Sequence, residues 1–246
     1  MSGNHMIAVC DILGFKSLVE RSPLESVVND SLAWFRRALH HSMHKSKFPP
    51  TPQPTADLYT HPNIGVAWFS DTVLFFTKQD TDEAVRELFM TVGWLLFETV
   101  LEGTTKIRGG IAYGEAHIDH ENSVFVGSPI VEAYQLEQKQ QWAGVALSPS
   151  ACERIPSDAR TGKYADWWVT PWDVPLKNGE IMPTLAVNWN WGIHRVDWAL
   201  RWSRESDDPT QDAWLKDASL CEKFMNTKRF HEAHCQNCRQ RTNLID

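Results

Sequence analysis

The sequence predicts an α+β fold: a mixed sheet with helices on one or both faces. Three observations carry that expectation. Short apolar runs rich in strand-forming residues alternate with stretches whose apolar residues recur at helical spacing. Two of the strand-like runs, on either side of Ser70-Asp71, read as an antiparallel hairpin. The alternation ends near Trp189, where Trp, His and charged residues take over the texture of the chain. Strands alternating with helices around a central hairpin call for such a layered sheet.

Met6–Cys10 reads as a buried strand, apolar without alternation, and Gly14 permits a tight turn after it. Ser22-Pro23 reads as a helix start, with Val27, Val28, Leu32, Phe35 and Leu39 as its apolar stripe. The proline-rich, polar stretch Lys45–Asp57 is a loop. The hairpin Asn63–Phe76 follows. A helix then opens at Thr81-Asp82-Glu83, with acids in its first turn and a buried face of Val85, Leu88, Phe89, Val92, Leu96 and Val100. Lys106–Ile118 is a strand whose Gly109, Gly110 and Gly114 permit close approach of a backbone or ligand. Phe125–Gly127 leads into a helix from Ser128 to about Trp142, Val145–Leu147 is a short strand, and Ser148-Pro149-Ser150 starts a short helix. Trp167–Val169 and Leu185–Trp189 read as late strands joined by a loop holding Lys177-Asn178-Gly179. Ser206–Pro209 reads as a break before a polar, mostly helical tail.

The 246 residues, 42% hydrophobic and 22% charged, suffice for a substantial core. A net charge of -7 argues against a general nucleic-acid binder. No run approaches the roughly 18 apolar residues of a membrane span, and Met1–Met6 is too short and polar for a signal peptide. Five scattered cysteines suit reduced thiols, so the expectation is a cytoplasmic protein.

Two stretches concentrate the chemistry: Ile7–Phe15, an apolar run ending in Asp11 and a glycine turn, and the hairpin with Asp71 at its tip. Taken singly, an aspartate at a strand end or hairpin tip is ordinary turn chemistry. Taken together, two such carboxylates can converge on hard divalent cations, which want a few oxygen ligands plus substrate phosphates. In the tail, His231, His234, Cys235 and Cys238 have a zinc-like spacing, but the cluster is compact and lies on a polar segment. Tyr59 and Trp68 are core aromatics or platforms on which a base stacks.

Four motifs in order, DILGF at 11–15, SD at 70–71, IRGGIAYGEA at 107–116 and VGSPIVEAYQLE at 126–137, resemble the class III nucleotidyl cyclase catalytic domain. Within that superfamily the chain looks most like the pyrimidine cyclases of the bacterial Pycsar anti-phage system. The resemblance implies a ferredoxin-like βαββαβ core, a catalytic domain over 6–190 and a helical extension over 191–246. It implies conversion of UTP to cyclic UMP and pyrophosphate, with CTP to cyclic CMP as the alternative. The product would be a second messenger for a defence effector that this chain does not itself contact. Two Mg²⁺ or Mn²⁺ ions and a homodimer with active sites at its interface come with the same resemblance.

Residue by residue, Asp11 and Asp71 match the metal-binding aspartates, and the Ile12 carbonyl falls where the family supplies a further metal ligand. The turn Leu13, Gly14, Phe15 would offer backbone N–H groups to the terminal phosphates. Arg108 matches a phosphate-contacting arginine, and Lys177 matches a triphosphate-binding lysine; either can serve its own site or the partner subunit's. The chain departs from the family at Ala67 and Val124, where purine cyclases read the base, and at Val131 and Gln135, which replace the transition-state asparagine and arginine. These departures point away from purine-type recognition. They also motivate an alternative of another class, a degenerate cyclase fold that senses nucleotides or binds a partner.

Overall fold

The structure, a computed structural model, describes residues 1–46, 61–102, 106–157, 168–190 and 218–242. Its strands are β1 (Ser2–Ile12), β2 (Ile64–Phe69), β3 (Thr72–Thr77), β4 (Ile107–Asp119), β5 (Val124–Gly127), β6 (Val145–Leu147), β7 (Val169–Pro175) and β8 (Ile181–Val187). The helices are α1 (Phe15–Arg21), α2 (Leu24–Ser26), a π-helical stretch (Val27–Leu32), α3 (Ala33–Lys45), α4 (Asp82–Glu102), α5 (Ser128–Lys139), α6 (Pro149–Arg154) and α7 (Ala218–Thr242). The strands form one 8-stranded sheet in the order β2-β3-β1-β4-β6-β8-β7, with β5 paired to β4. Among the described residues only β4 and β6 run parallel, and the other strand pairings are antiparallel. The first four strands, in the order β2-β3-β1-β4, make the expected ferredoxin-like core, and the α+β class with a mixed sheet holds.

β1 is central, and His5 to Cys10 are buried on both faces of the sheet. Met6, Ala8, Cys10 and Ile12 belong to the large core with α3 and α4, whereas Ile7 and Val9 pack with Phe76, Ala112 and Ala133 on the α5 side. That two-sided burial explains why β1 lacks polar alternation. Gly110 is required by packing. A Cβ there would sit 2.2 Å from the Ala133 carbonyl oxygen and 3.0 Å from Leu136 Cβ, so α5 lies directly on β4. In α4, Val85, Leu88, Phe89, Val92 and Leu96 are buried as the periodicity predicts, while the Val100 side chain lies outside the described residues.

Four sequence expectations change. Pro23 is the residue before the first helical turn, with no side-chain cap from Ser22. The stripe that continues from there slips in phase: Val27, Phe35 and Leu39 are buried, but Val28 is exposed. The wider π turn at Val27–Leu32 rotates the following residues off a 3.6-residue period. Helix α5 ends at Lys139 and leaves Trp142 in an irregular segment. The late strands are longer than expected, Val169–Pro175 and Ile181–Val187, and pair as a tight hairpin with Lys177 in its turn. The break at Ser206–Pro209, Tyr59 and most of Lys45–Asp57 lie outside the described residues. Helix α7 packs Phe230 into the main core, with its ring 5.1 Å from those of Trp142 and Trp172. Among the described residues no helix is long and apolar enough to cross a membrane.

Gly110→Ala is expected to destabilise the fold by about 2–3 kcal/mol, the range for forcing volume into a packed interior. Urea unfolding of wild type and variant checks this through the shift in midpoint.

Candidate active site

Asp11 is the next-to-last residue of β1, and three neighbouring elements converge on it. The antiparallel register sets it directly opposite Thr72 of β3 and Arg108 of β4, on the α5 face of the sheet. The Ile12 amide donates to the Asp71 carbonyl at 3.0 Å, so the hairpin tip is tied to the end of β1. Ser70 in that tip adopts φ 57, a left-handed conformation that costs a non-glycine residue about 1 kcal/mol or more. The Trp68 indole N–H donates to the Ser70 carbonyl at 2.7 Å and holds the turn. The two carboxyls predicted from sequence, Asp11 and Asp71, come close enough here for Asp71 to act directly on the Asp11 side chain.

Two carboxylates in contact cannot both carry full charge cheaply in a partly dry place. Burial, then the Glu137 charge, then Asp71 raise Asp11 to about 7, while Arg108 pulls it the other way. The neighbouring Cys10 thiol is pushed well up by burial and by the Glu137 and Asp11 charges, which keeps it protonated and unreactive.

Arg108 is occupied within its own subunit. Its guanidinium is 4% exposed; Nε donates to Glu137 Oε1 at 2.7 Å, a second N–H pairs with the same carboxylate, and Nη1 donates to the Gln140 carbonyl at 3.1 Å. The side chain expected on phosphates is therefore engaged by α5 within its own subunit. The Leu13 amide is occupied as well. It donates to the Lys106 carbonyl at 2.8 Å, because the chain stays paired with β4 for one residue past Ile12, and it is not offered to a ligand. Gly14, at φ 78, is where the chain leaves the sheet; nothing lies within 4 Å of the Cβ position there, and α1 begins at Phe15. The Lys177 side chain is exposed in the β7–β8 turn. Partial burial and then the Arg108 charge lower its ammonium, while Glu137 and Asp11 raise it, so it stands in the field of the same cluster.

Glu137 is the residue sequence reasoning missed. It is fully buried, and Gln138 Nε2 donates to its other oxygen at 2.6 Å. The signal was present: Pro129, Ala133, Leu136 and Glu137 form the buried stripe of α5, so an acid occupies a core position. None of the four departures adds charge: Ala67 is half-buried on β2, Val124 is exposed on β5 and pairs with Asp119 at the far end of β4 from Arg108, and Val131 and Gln135 are exposed on α5. In the tail, His231 Nδ1 pairs with Asn190 Oδ1 at 2.6 Å and His234 Nδ1 with Thr170 Oγ1 at 3.2 Å, both buried. These two side chains thus face the sheet; Cys235 and Cys238 lie outside the described side chains. Among the described residues no group of three or more His, Cys, Asp or Glu side chains makes a ready metal cage.

The raised Asp11 fixes a pH dependence. Between its ordinary 3.8 and about 7 the folded chain holds a proton that the unfolded chain has released. Stability in chelator-treated protein therefore falls as pH rises through that window. Asp11→Asn removes the penalty. Its melting temperature is expected to exceed that of wild type at about pH 8, and the gap is expected to close toward about pH 4. Differential scanning fluorimetry across that range checks it.

No protein-family model matches the sequence, and no curated protein matches it. Solved structures with a similar chain path include the guanylyl cyclase Cya2, at 17% identity over 76% of this chain and 91% of that one, TM-score 0.48. The catalytic core of a rhodopsin-guanylyl cyclase with converted specificity, in complex with ATPalphaS, shares 16% identity over 76% of this chain and 97% of that one, TM-score 0.46. An adenylate/guanylate cyclase/hydrolase from Silicibacter pomeroyi shares 14% identity over 76% of this chain and 98% of that one, TM-score 0.49. The α+β class itself rests on this chain's own sheet, with β1 between β3 and β4 and the Asp11–Asp71 pair at the end of β1.

Proposed function

We propose that this chain is a class III-type nucleotidyl cyclase that converts UTP to cyclic UMP and pyrophosphate, acting as a homodimer with divalent cations. The observation that carries the reading is that Asp11 and Asp71, from separate elements, are brought together at one end of the sheet, with the Ile12 amide donating to the Asp71 carbonyl at 3.0 Å. Both carboxyls are hard oxygen donors, and a cation bound there would displace the proton that Asp11 holds near neutral pH. The donor set fits Mg²⁺ or Mn²⁺: Asp11 and Asp71, with the Ile12 carbonyl beside them, would hold the ions. When bound, such ions lower the basicity of a coordinated hydroxyl and offset charge on transferring phosphoryl oxygens.

In this reading Asp11 and Asp71 fix the triphosphate end of the substrate relative to the sheet. The ribose 3′-oxygen attacks the α-phosphorus, the bond from that phosphorus to the bridging oxygen breaks, and pyrophosphate leaves with the electron pair. The proton of the 3′-hydroxyl goes to solvent. Lys177, exposed at its turn, binds and positions the triphosphate of the substrate, and the first turn of α1 behind Gly14 presents backbone N–H groups to the phosphates. Arg108, held by Glu137, keeps positive charge beneath Asp11. Ala67 and Val124 offer no hydrogen bond to a purine, which supports a pyrimidine substrate; UTP over CTP, and a role in anti-phage signalling, follow from the motif resemblance. Val124, Val126, Val131 and Tyr134 are exposed on β5 and the adjoining α5, and this apolar surface supports self-association.

Incubation with Mn²⁺ and each nucleoside triphosphate in turn, with products separated by chromatography, is expected to yield mainly cyclic UMP. Asp71→Ala is expected to lose activity by about three decades or more, at about 1.4 kcal/mol of barrier per decade, with its circular dichroism unchanged. Mn²⁺ should raise the melting temperature of wild type and not of Asp71→Ala. Cyclic AMP as the main product would overturn the pyrimidine assignment. Binding of Mn²⁺ and nucleotide without turnover would instead identify a degenerate sensor.

A further inference from the structure

Residues 140–144, between α5 and β6, have no regular structure, yet all five are buried. A buried loop must find outside partners for its backbone polar groups, and most of them are supplied by three neighbouring elements. The Gln140 carbonyl accepts from Arg108, and the Gly144 carbonyl accepts from the Gly109 amide at 3.0 Å. The Gln141 amide donates to the Pro175 carbonyl at 2.8 Å, and Lys177 donates its own amide to the Lys139 carbonyl at 2.8 Å. Helix α7 meets three more: Asn226 Nδ2 donates to the Gln141 carbonyl at 2.8 Å, the Ala143 amide donates to Thr227 Oγ1 at 2.7 Å, and that hydroxyl donates to the Ala143 carbonyl at 3.2 Å. Asn226 and Thr227 are themselves buried, and the Gln141 side chain reaches Glu222 Oε2 at 3.0 Å. The Gln140 side chain closes the network. Its Nε2 donates to the Gly109 carbonyl at 2.7 Å, and its Oε1 accepts from the Trp142 indole at 2.6 Å.

This loop is the common anchor of both cations near Asp11. One of its carbonyls orients the Arg108 guanidinium. Its junction with β7 fixes the strand end from which Lys177 projects. We infer that helix α7 is a positioning element for the site, and that Asn226 and Thr227 are the positioning residues, acting through residues 140–144 on Arg108 and Lys177. The role assigned to those two cations rests on the proposed cyclase reading; the mechanical part does not. The hydrophobic anchor of α7 is separate from its polar grip, since Phe230 is fully buried among Trp142, Trp172 and Trp189. Removing the two polar contacts therefore loosens the loop while the helix stays docked.

The test uses the full chain carrying Asn226→Ala and Thr227→Val, with Thr227→Ser as the variant that keeps the hydroxyl and behaves as wild type. Hydrogen–deuterium exchange is expected to quicken about tenfold in peptides covering 139–145 and 174–180, and to stay unchanged in the hairpin over 64–77. In the Mn²⁺ assay KM for the nucleoside triphosphate is expected to rise about tenfold with kcat within about twofold, because phosphate-positioning charge is lost while the carboxylate pair is intact. If the double variant fails to fold, Asn226→Ala alone is read the same way. Unchanged exchange in both segments, or a uniform increase across the chain, overturns the inference, as does faster exchange with KM and kcat both unaltered. If wild type turns over no nucleoside triphosphate, the cyclase reading falls, and the exchange pattern alone decides whether α7 holds the two segments.

Discussion

The arrangement of this molecule depends on one electrostatic imbalance. Asp11, Asp71 and Glu137 gather three carboxyls at the end of β1, against the single buried guanidinium of Arg108, with Lys177 only at the rim. Arg108 is committed to Glu137, so Asp11 meets its share of the imbalance by holding a proton near neutral pH. A proton brings one positive charge to this place. A divalent ion would bring more charge to the same place and displace it, so the strain on Asp11 and the affinity proposed for metal are two sides of one arrangement.

That imbalance is built by packing. Gly110 lets α5 lie directly on β4, with the Ala133 carbonyl where a side chain would otherwise stand. Only at that separation does the next turn of α5 bring Glu137 over Arg108 and Gln140 against Gly109. The pair is nearly free of water, where deletion of one partner strands the other charge at a cost of about 3–5 kcal/mol. The sequence of causes runs from a missing side chain on a strand, to a close helix, to a buried ion pair, to the protonation of a carboxylate one strand away.

The parts of this scheme that were legible in the sequence are those whose signal is local. Asp11 and Asp71 end short apolar runs, Gly14 follows at the turn, and the strand–helix alternation gives the α+β core with β1 at its centre. Gly109 and Gly110 were legible as places of close approach, though not what approaches. Glu137 was overlooked because an acid on a helix reads as solvent-facing until the buried stripe of that helix is traced through Ala133 and Leu136. The engagement of Arg108, the pairing of the Leu13 amide with Lys106 and the grip of Asn226 and Thr227 on residues 141–143 join segments far apart along the chain. No spacing rule encodes such contacts, since they exist only once the sheet and α7 are assembled. The π turn at Val27–Leu32 escaped for a different reason, because a helical stripe is read on the assumption of an unbroken period.

The state of Arg108 constrains how phosphate charge is handled under the cyclase reading. To contact a triphosphate, its guanidinium would have to leave Glu137 and the Gln140 carbonyl, exposing a fully buried carboxylate beside Asp11 and adding repulsion where charge is already in excess. The resting pair and a phosphate contact are therefore competing states, and the first carries the advantage of complete burial. Lys177 faces no such choice, since its side chain is exposed in the turn and meets the cluster only through its field. Val131 and Gln135, exposed on α5, supply no positive charge from the positions where the resemblance would seek it. The compensation of phosphate charge thus falls on cations held by Asp11 and Asp71 and on Lys177, while Arg108 balances the carboxyls beneath them.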